Sequence, residues 1–309
     1  MKHDFASNII DPNDGSTLAL HVFEGGDSDV REGVLRNEET GRWFPIRDGI
    51  PSVFADALRT GGMAAEDAAF NERYVSAMLN ADCRAPEESK PAAEAAGQIA
   101  RIESERKARD EQSEDYDRMM GLKVLGKIEI PAYRKALENA DRALPLLEAG
   151  CGTGRFTGVF AELGSSVVAA DLSRDSIERN RVRWAGRTAS PVHYLHCDLT
   201  HLPLRSGMFG SCAHCGVYEH IPTREMREQF LTHAARSLTP DGKLLLSAYR
   251  WGGMTKLFGK EGEHDGGIPF FRFTEEELRA EVETEFEITS FRANLGIYMS
   301  MVAATPKKK

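Results

Sequence analysis

The sequence predicts an α/β protein with a small β-rich unit at its N-terminus and a larger domain that has a mostly parallel sheet with helices on both faces. From residue 143 onward, apolar runs of strand length alternate with segments of helical spacing. This alternation favours a parallel sheet, because the connection between two parallel strands usually contains a helix. Residues 1–56 instead hold short apolar runs separated by turn sequences, which favours short strands. The length of 309 residues fits about two domains.

The N-terminal unit, residues 1–56, is predicted to contain three short strands. They are Leu18–Phe23, Gly33–Leu35 and Trp43–Ile46, and turn sequences such as Asp11–Gly15 separate them. These strands indicate a small domain of its own.

Residues 57–142 are predicted to form a helical linker and lid. Phe70, Tyr74 and Met78 recur every four residues, which indicates an amphipathic helix. The segment Ala85–Gly97 is rich in Pro, Ala and Glu and is predicted to be a linker, whereas the charges of Arg101–Met119 favour a solvated helix.

The third part, residues 143–309, carries the sheet and its helices. The predicted strands are Leu144–Glu148, Ser166–Ala170, Val192–Cys197, Ser211–Val217, Lys243–Tyr249, Phe286–Arg292 and Tyr298–Ala304. The predicted helices are Phe156–Leu163, Asp175–Trp184, Arg224–Leu238 and one that opens with the capping box Thr274-x-x-Glu277.

Composition excludes several classes of protein. The formal net charge is −9, which argues against a broad nucleic-acid surface and favours a small-molecule partner. No run approaches about 18 apolar residues, so we expect no membrane span. Five cysteines, an odd and small number for this length, predict reduced thiols and a cytoplasmic protein.

The most informative segment is a glycine loop between a predicted strand and a predicted helix. It reads Glu148-Ala149-Gly150-Cys151-Gly152-Thr153-Gly154. Glycines there allow a sharp turn and let a ligand lie against bare backbone at the start of a helix. The dinucleotide fingerprint G-x-G-x-x-G is absent, because Arg155 or Thr157 would stand at its third glycine.

This segment resembles motif I of the class I S-adenosylmethionine-dependent methyltransferases, which carry E/D-x-G-x-G-x-G. The resemblance covers about residues 143–305 and implies a Rossmann-like, seven-stranded sheet with S-adenosylmethionine as cofactor. It implies that Asp171, at the end of the second strand, binds the ribose hydroxyls, and that Asp198 and the backbone of Leu199 meet the adenine. The implied cofactor-binding residues are Glu148, Gly150, Gly152, Gly154, Asp171, Leu172, Asp198 and Leu199, with Tyr116 from the lid.

Two further segments resemble the family in order and spacing. Gly216–Ile221 is similar to the segment after the fourth strand that lines the cofactor cleft, and Leu238–Lys243 is similar to the turn before the fifth strand. Where many members have Phe-Asp at the start of the fourth strand, this chain has Phe209-Gly210.

The N-terminal unit also carries a resemblance. Arg42–Pro51 is similar to the Y-P-I-x-D-G-I-P ending of small zinc-ribbon-like domains. The ligand positions of such a domain would fall on Asp11, Asp14, Asn37 and Thr40, and none of them is cysteine. We therefore predict a ribbon-like unit without metal, held by Asx turns, that serves substrate recognition or homodimerisation.

The family's chemistry is an in-line displacement on an activated methyl group, for which the protein supplies orientation and, for some acceptors, a base. His220 is the first candidate base; the alternative is a structural histidine that packs under the cofactor. His264 is the second candidate base, and Arg272 and Trp251 are candidate substrate contacts in the glycine- and aromatic-rich loop 250–273. The alternative for that loop is that its phenylalanines only pack the following helix onto the sheet.

The predicted function is therefore O- or N-methylation of a small molecule. The alternatives are a non-catalytic protein that binds S-adenosylmethionine or activates a partner, and a methyltransferase that acts on RNA or protein. Cys212-x-x-Cys215 lies in the fourth predicted strand, where residues three apart face opposite sides, so we interpret it as two buried thiols and not as a metal site.

Overall fold

The N-terminal unit is a four-stranded antiparallel sheet whose strands pair in chain order. In this computed structural model the described residues are 1–59, 61–75, 104, 106–108, 122–264 and 268–308. The predicted linker Ala85–Gly97, most of the predicted helix Arg101–Met119, and the residues Met78 and Tyr116 lie outside them.

The predicted strands and the four predicted helices after residue 143 occur in the predicted order, with shifts of a few residues at their ends. The strands are β1 (Ala19–Gly25), β2 (Val30–Arg36), β3 (Trp43–Arg47), β4 (Ile50–Pro51), β5 (Leu146–Ala149), β6 (Val167–Asp171), β7 (Val192–His196), β8 (Phe209–Cys215), β9 (Leu238–Tyr249), β10 (Glu261–His264), β11 (Ile268–Phe271), β12 (Phe286–Leu295) and β13 (Met299–Pro306). The α-helices among the described residues are α1 (His3–Ala6), α2 (Gly61–Phe70), α3 (Leu122–Ala136), α4 (Thr157–Phe160), α5 (Arg174–Trp184), α6 (Arg224–Ser237) and α7 (Glu275–Val282).

The large sheet has seven strands in the order β12-β13-β9-β8-β5-β6-β7. The five strands β5 to β9 pair in parallel, whereas β13 pairs antiparallel with β9 and β12. The predicted fold class, a mostly parallel seven-stranded sheet with helices and a separate β-rich unit, is confirmed. In the described part of the chain, no helix is long and apolar enough to cross a bilayer.

The turn Thr239–Gly242, expected before the fifth strand, lies within the bounds of β9: Phe209 pairs with Leu238 and Ser211 with Lys243, and a Cβ at Gly242 would lie 2.9 Å from the Thr239 carbonyl oxygen, so the chain folds back there. One local prediction needs correction. The segment 250–273, expected to be a loop, contains a 3₁₀ helix, Gly253–Phe258, and the antiparallel hairpin β10–β11. The fully buried Ile268 anchors this hairpin, so the segment is more ordered than its glycines suggested.

Gly210 stands where many relatives of the resembled family have aspartate, and packing explains the difference. A Cβ at this position would lie 2.7 Å from the carbonyl oxygen of Asp141 and 3.0 Å from the Cβ of Leu144. The connection before β5 therefore passes so close to β8 that only glycine fits without a shift of the backbone.

The N-terminal unit lies against the edge strand β7 of the large sheet. Ser52 forms a parallel bridge with His196, and the backbone N–H of Val53 donates to the His196 carbonyl at 2.9 Å. The Ser52 hydroxyl donates to Nδ1 of His196 at 2.8 Å, since Nε2 of that ring donates to the carbonyl of Leu172. These contacts cover an edge that would otherwise expose unpaired backbone groups.

The buried His196 and His214 and the half-buried His233 predict that the fold loses stability in acid. Desolvation lowers the pKa of His196 to about 3 and the pKa values of His214 and His233 to about 4. As the pH falls below about 6.5, the unfolded chain takes up these protons and the folded chain does not. The buried Glu148, with its pKa raised to about 8, works in the opposite direction by one proton.

We therefore expect the free energy of unfolding to fall as the pH drops from about 6.5 to about 4.5, by up to about 3 kcal/mol per pH unit for a net difference of two protons. Urea denaturation at pH 4.5, 5.5 and 6.5 measures this slope. His233→Leu should make the slope shallower by one proton, and a stability independent of pH over this range would contradict the assignment.

Candidate active site

A cleft opens where the carboxyl ends of β5, β6, β7 and β8 meet, the edge at which parallel sheets bind ligands. The structure brings together seven of the predicted cofactor-binding residues in its wall. They are Glu148, Gly150, Gly152, Asp171, Leu172, Asp198 and Leu199. Gly154 belongs to the same loop, and its neighbours Thr153 and Arg155 line the cleft.

The glycine loop follows β5 directly and depends on left-handed backbone. Gly150, Gly152 and Gly154 have φ angles of 82°, 48° and 86°. At Gly150 a Cβ would also lie 2.6 Å from a methyl carbon of Val217, whereas at Gly152 it would meet nothing within 4 Å. Backbone at Gly152 is thus bare on the side where a ligand can approach.

The carboxylates of Asp171 and Asp198 bind backbone N–H groups of the loops that form the cleft. Asp171 accepts hydrogen bonds from the backbone N–H of Gly152 at 2.7 Å and from that of Ser173 at 2.9 Å. It therefore ties the glycine loop to the end of β6. Asp198, after β7, accepts from the backbone N–H of Thr200 at 2.6 Å and is buried.

Glu148 is the third acidic group of the cleft and is buried. Its Oε2 accepts a hydrogen bond from the hydroxyl of Thr157 at 2.6 Å, and that hydroxyl accepts one from the side-chain amide of Asn180 at 2.9 Å. Burial raises the pKa of Glu148 to about 8, only partly offset by the Thr157 hydrogen bond. Sequence reasoning missed Thr157 and Asn180, because their contacts connect separate helices.

Comparison with known proteins agrees with this geometry. Residues 147–246 match a family model described as a methyltransferase domain. This part of the chain is therefore similar to methyltransferase domains. The match extends from β5 into β9 and so includes every carboxylate of the cleft described above. It supports the predictions of a methyltransferase and of S-adenosylmethionine as its cofactor.

Curated relatives match over parts of their length. The tRNA (carboxymethyluridine(34)-5-O)-methyltransferase ALKBH8 of Mus musculus is 27% identical over 148 residues, 47% of this chain and 21% of the mouse protein. The malonyl-(acyl-carrier protein) O-methyltransferase of Buchnera aphidicola is 38% identical over 66 residues, 21% of this chain and 25% of that protein. The chain thus spans about a quarter or less of the length of these two relatives.

A solved structure supports the fold. The structure described as the DhpI-SAH complex is 17% identical, with a TM-score of 0.54, and the superposition covers 67% of this chain and 98% of that one. At this identity the likeness concerns the fold alone.

Beside the cleft lies a cluster of four aromatic rings, those of His220, Tyr249, His264 and Phe270. His220 lies in the turn after β8, and Tyr249 is the last residue of β9. The hairpin β10–β11 places His264 and Phe270 against these two rings. Ring centroids of His220 and His264 are 5.4 Å apart, and those of His264 and Phe270 are 4.7 Å apart. The structure therefore brings the two predicted bases together.

Hydrogen bonds orient these histidines. Nδ1–H of His220 donates to the carbonyl of Pro269 at 2.9 Å, which places the lone pair of the neutral ring on Nε2. The hydroxyl of Tyr249 lies 3.3 Å from Nε2 of His264. Val217 and Ile221, which flank the turn that carries His220, line the cleft. No sequence signal pointed to Tyr249 beyond its place at a strand end.

The predicted substrate contacts in segment 250–273 occupy two different places. Arg272 stacks on Phe270, with its guanidinium carbon 4.5 Å from the ring centroid, and its Nη1 donates to the carbonyl of Gly259 at 2.6 Å. Trp251 is bound through its backbone N–H to the carbonyl of Phe273 and, among the described residues, lines a second groove and not the cleft. This backbone pairing explains why the structure does not bring Trp251 to the cofactor residues.

The thiols need one correction. Cys212 is buried in the sheet, as expected, but Cys215 lines the cleft at the end of β8. Burial raises the pKa of each thiol, so neither is an activated nucleophile.

The four positions of the missing zinc ligands do come together in the N-terminal unit. The amide nitrogen of Asn37 donates to Asp11 at 2.9 Å and to Asp14 at 3.3 Å, and the backbone N–H of Thr40 donates to the Asn37 amide oxygen at 3.2 Å. Arg42 donates to the fully buried Asp11, so a guanidinium supplies the positive charge there. Among the described residues, no three His, Cys, Asp or Glu side chains are placed to share a metal ion. The absence of zinc stays a prediction.

Proposed function

We propose that the chain is an S-adenosylmethionine-dependent methyltransferase that methylates an oxygen or nitrogen atom of a small molecule. The observation that carries this proposal is the convergence of Glu148, Asp171 and Asp198 with the glycine loop in one cleft of a methyltransferase domain. In this proposal Asp171 holds the ribose hydroxyls, and Asp198 and Leu199 hold the adenine. A carboxylate that accepts from two hydroxyls is a strong, charge-assisted contact.

The acceptor is proposed to bind between the cleft and the aromatic cluster. His220, with its proton on Nδ1, can accept the acceptor's proton on Nε2 as the methyl group transfers. His264 and Tyr249 complete the polar side of the cluster, and Phe270 offers an apolar face. The transfer itself needs alignment of the acceptor atom with the methyl carbon, which packed walls provide.

A small acceptor is favoured by the net charge of −9, because a nucleic-acid partner usually meets a basic surface. The Buchnera relative is named for a malonyl group on a carrier protein. A tRNA acceptor is the second candidate, since the mouse relative is named for tRNA. A cytoplasmic location, a homodimer and a role of the N-terminal unit in substrate recognition remain proposals as well.

The test is transfer of a labelled methyl group from S-adenosylmethionine to a fractionated metabolite extract and, in parallel, to bulk tRNA. Label in the metabolite fraction supports the proposal, and label in tRNA alone would favour the second candidate. No transfer to either, despite binding of S-adenosylmethionine, would favour the non-catalytic alternative.

Once an acceptor is known, His264→Ala and Arg272→Ala should leave cofactor affinity nearly intact and lower kcat/KM for the acceptor at least about tenfold. Both side chains contact Phe270 beside the proposed acceptor site and not the strand-end carboxylates. Met254→Ala, an exposed change in the same segment, is the matched control. If both variants react like the parent while Phe271→Ala only lowers Tm, the segment is structural.

A further inference from the structure

A buried ion pair connects helices α6 and α7. Nε and Nη2 of Arg227 donate to the two carboxylate oxygens of Glu281, each at 2.8 Å. The two side chains are 7% and 8% exposed. Two parallel hydrogen bonds fix the geometry of such a pair. Desolvation offsets much of its attraction, however, so a buried ion pair is weak evidence for a contribution to stability.

The pair holds the turn that carries His220. The remaining nitrogen of the guanidinium, Nη1 of Arg227, donates to the carbonyl of Ile221 at 3.1 Å. The hydroxyl of Tyr218 donates to Oε2 of Glu281 at 2.7 Å. In the chain, His220 therefore lies between Tyr218 and Ile221, and each of these two residues is hydrogen-bonded to Arg227 or Glu281.

The same guanidinium contacts the segment on the other side of His220. The Arg227 guanidinium carbon lies 5.6 Å from the ring centroid of Phe271 and 5.1 Å from that of Phe273. Phe271 ends β11, and the carbonyl of Pro269 in that strand accepts the Nδ1–H bond of His220. Arg227 therefore contacts both the segment that donates this hydrogen bond and the segment that accepts it.

We propose that Arg227 and Glu281 are positioning residues for His220. They keep the turn 218–221 and the strand β11 in the relation that lets the bond from Nδ1 to Pro269 form, so that the lone pair stays on Nε2. Neither residue lines the cleft described above, and in this proposal the pair acts through its contacts on both sides of His220. This inference rests on the proposed function, in which Nε2 of His220 accepts a proton.

The tautomer of His220 tests this proposal directly. We would record ¹⁵N–¹H correlation spectra of the histidine rings in the full chain, with saturating S-adenosylhomocysteine, and assign His220 by its loss in His220→Gln. The double variant Arg227→Met/Glu281→Leu removes both charges and leaves no unpaired ion in the interior, so it should fold. The same exchange at the exposed pair of α6, Arg224→Met/Glu228→Leu, is the matched control.

We expect the parent and the control to show His220 mainly as the Nδ1–H tautomer. The Arg227/Glu281 variant should lose this tautomer as the dominant form while still binding S-adenosylhomocysteine. A merely structural pair would lower Tm without changing the tautomer, and an unchanged tautomer in the folded double variant would overturn the proposal.

If the double variant does not fold, Tyr218→Phe serves the same purpose, because it removes one hydrogen bond of the pair and keeps the ring. A partial shift of the tautomer is expected there, and no shift contradicts the proposal. Failure of the parent protein to bind S-adenosylhomocysteine would contradict the proposed function instead, and the tautomer can then be compared in the ligand-free proteins.

Discussion

Asp171→Ala is expected to weaken the binding of S-adenosylmethionine by about 1.5–3 kcal/mol, which is roughly 10- to 150-fold in affinity. The substitution removes the carboxylate proposed to hold the ribose. It also removes the acceptor for the backbone N–H of Gly152, at 2.7 Å, so the glycine loop loses its connection to β6. The loss should therefore lie at the upper end of this range. Isothermal titration calorimetry measures it.

The matched control is Asp175→Ala. Asp175 is exposed at the start of α5, four residues after Asp171 in the chain. Its substitution removes the same charge. We expect its affinity for S-adenosylmethionine to stay within about twofold, as for a surface substitution of under 0.5 kcal/mol. Equal behaviour of the two variants would remove Asp171 from the site.

The second large effect concerns Glu148 and pH. Because burial raises its pKa to about 8, Glu148 is largely protonated between pH 6 and 7. S-adenosylmethionine carries a sulfonium and an ammonium group, and a cation in this cleft favours the ionised carboxylate. Binding should then release a proton, and affinity should rise with pH by up to about tenfold per unit over this range.

Calorimetry in two buffers with different ionisation enthalpies measures the proton release. The range stops at pH 7 because the amino group of the ligand begins to lose its own proton above it, near the usual pKa of about 8 for such a group. Glu148→Gln keeps the shape of the side chain and should bind more weakly, with affinity independent of pH. A parent protein that binds without proton release would show that Glu148 does not face the cationic groups.

The sheet could be predicted from the sequence because its signals are local. Apolar runs such as Val167–Ala170 are short and followed by helical spacing, and the glycine loop marks the first strand-to-helix turn. The cleft follows from the same information, since Asp171 and Asp198 both stand at the ends of parallel strands and so meet at one edge.

The hairpin over the aromatic cluster could not be predicted in the same way. Gly262 and Pro269 lie inside its two strands, and such residues normally argue against a strand. Its order depends on contacts of Phe270 with Tyr249 and of Pro269 with His220, which sequence spacing does not show.

Long-range pairs escaped prediction for a related reason. Arg227 and Glu281 are 54 residues apart, and Ser52 and His196 are 144 apart, so neither pair has a sequence signature. Trp251 was expected near the acceptor because of its neighbours in the chain, but its backbone bond to Phe273 directs it to another groove.

The most direct test of the central claim is a crystal structure of the full chain with S-adenosylhomocysteine. We expect the ribose hydroxyls within hydrogen-bond distance of the Asp171 carboxylate, the adenine beside Asp198 and Leu199, and the sulfur facing the side of the cleft where His220 stands. A ligand bound away from Asp171, or a cleft that takes up NADH and not S-adenosylhomocysteine, would contradict the account.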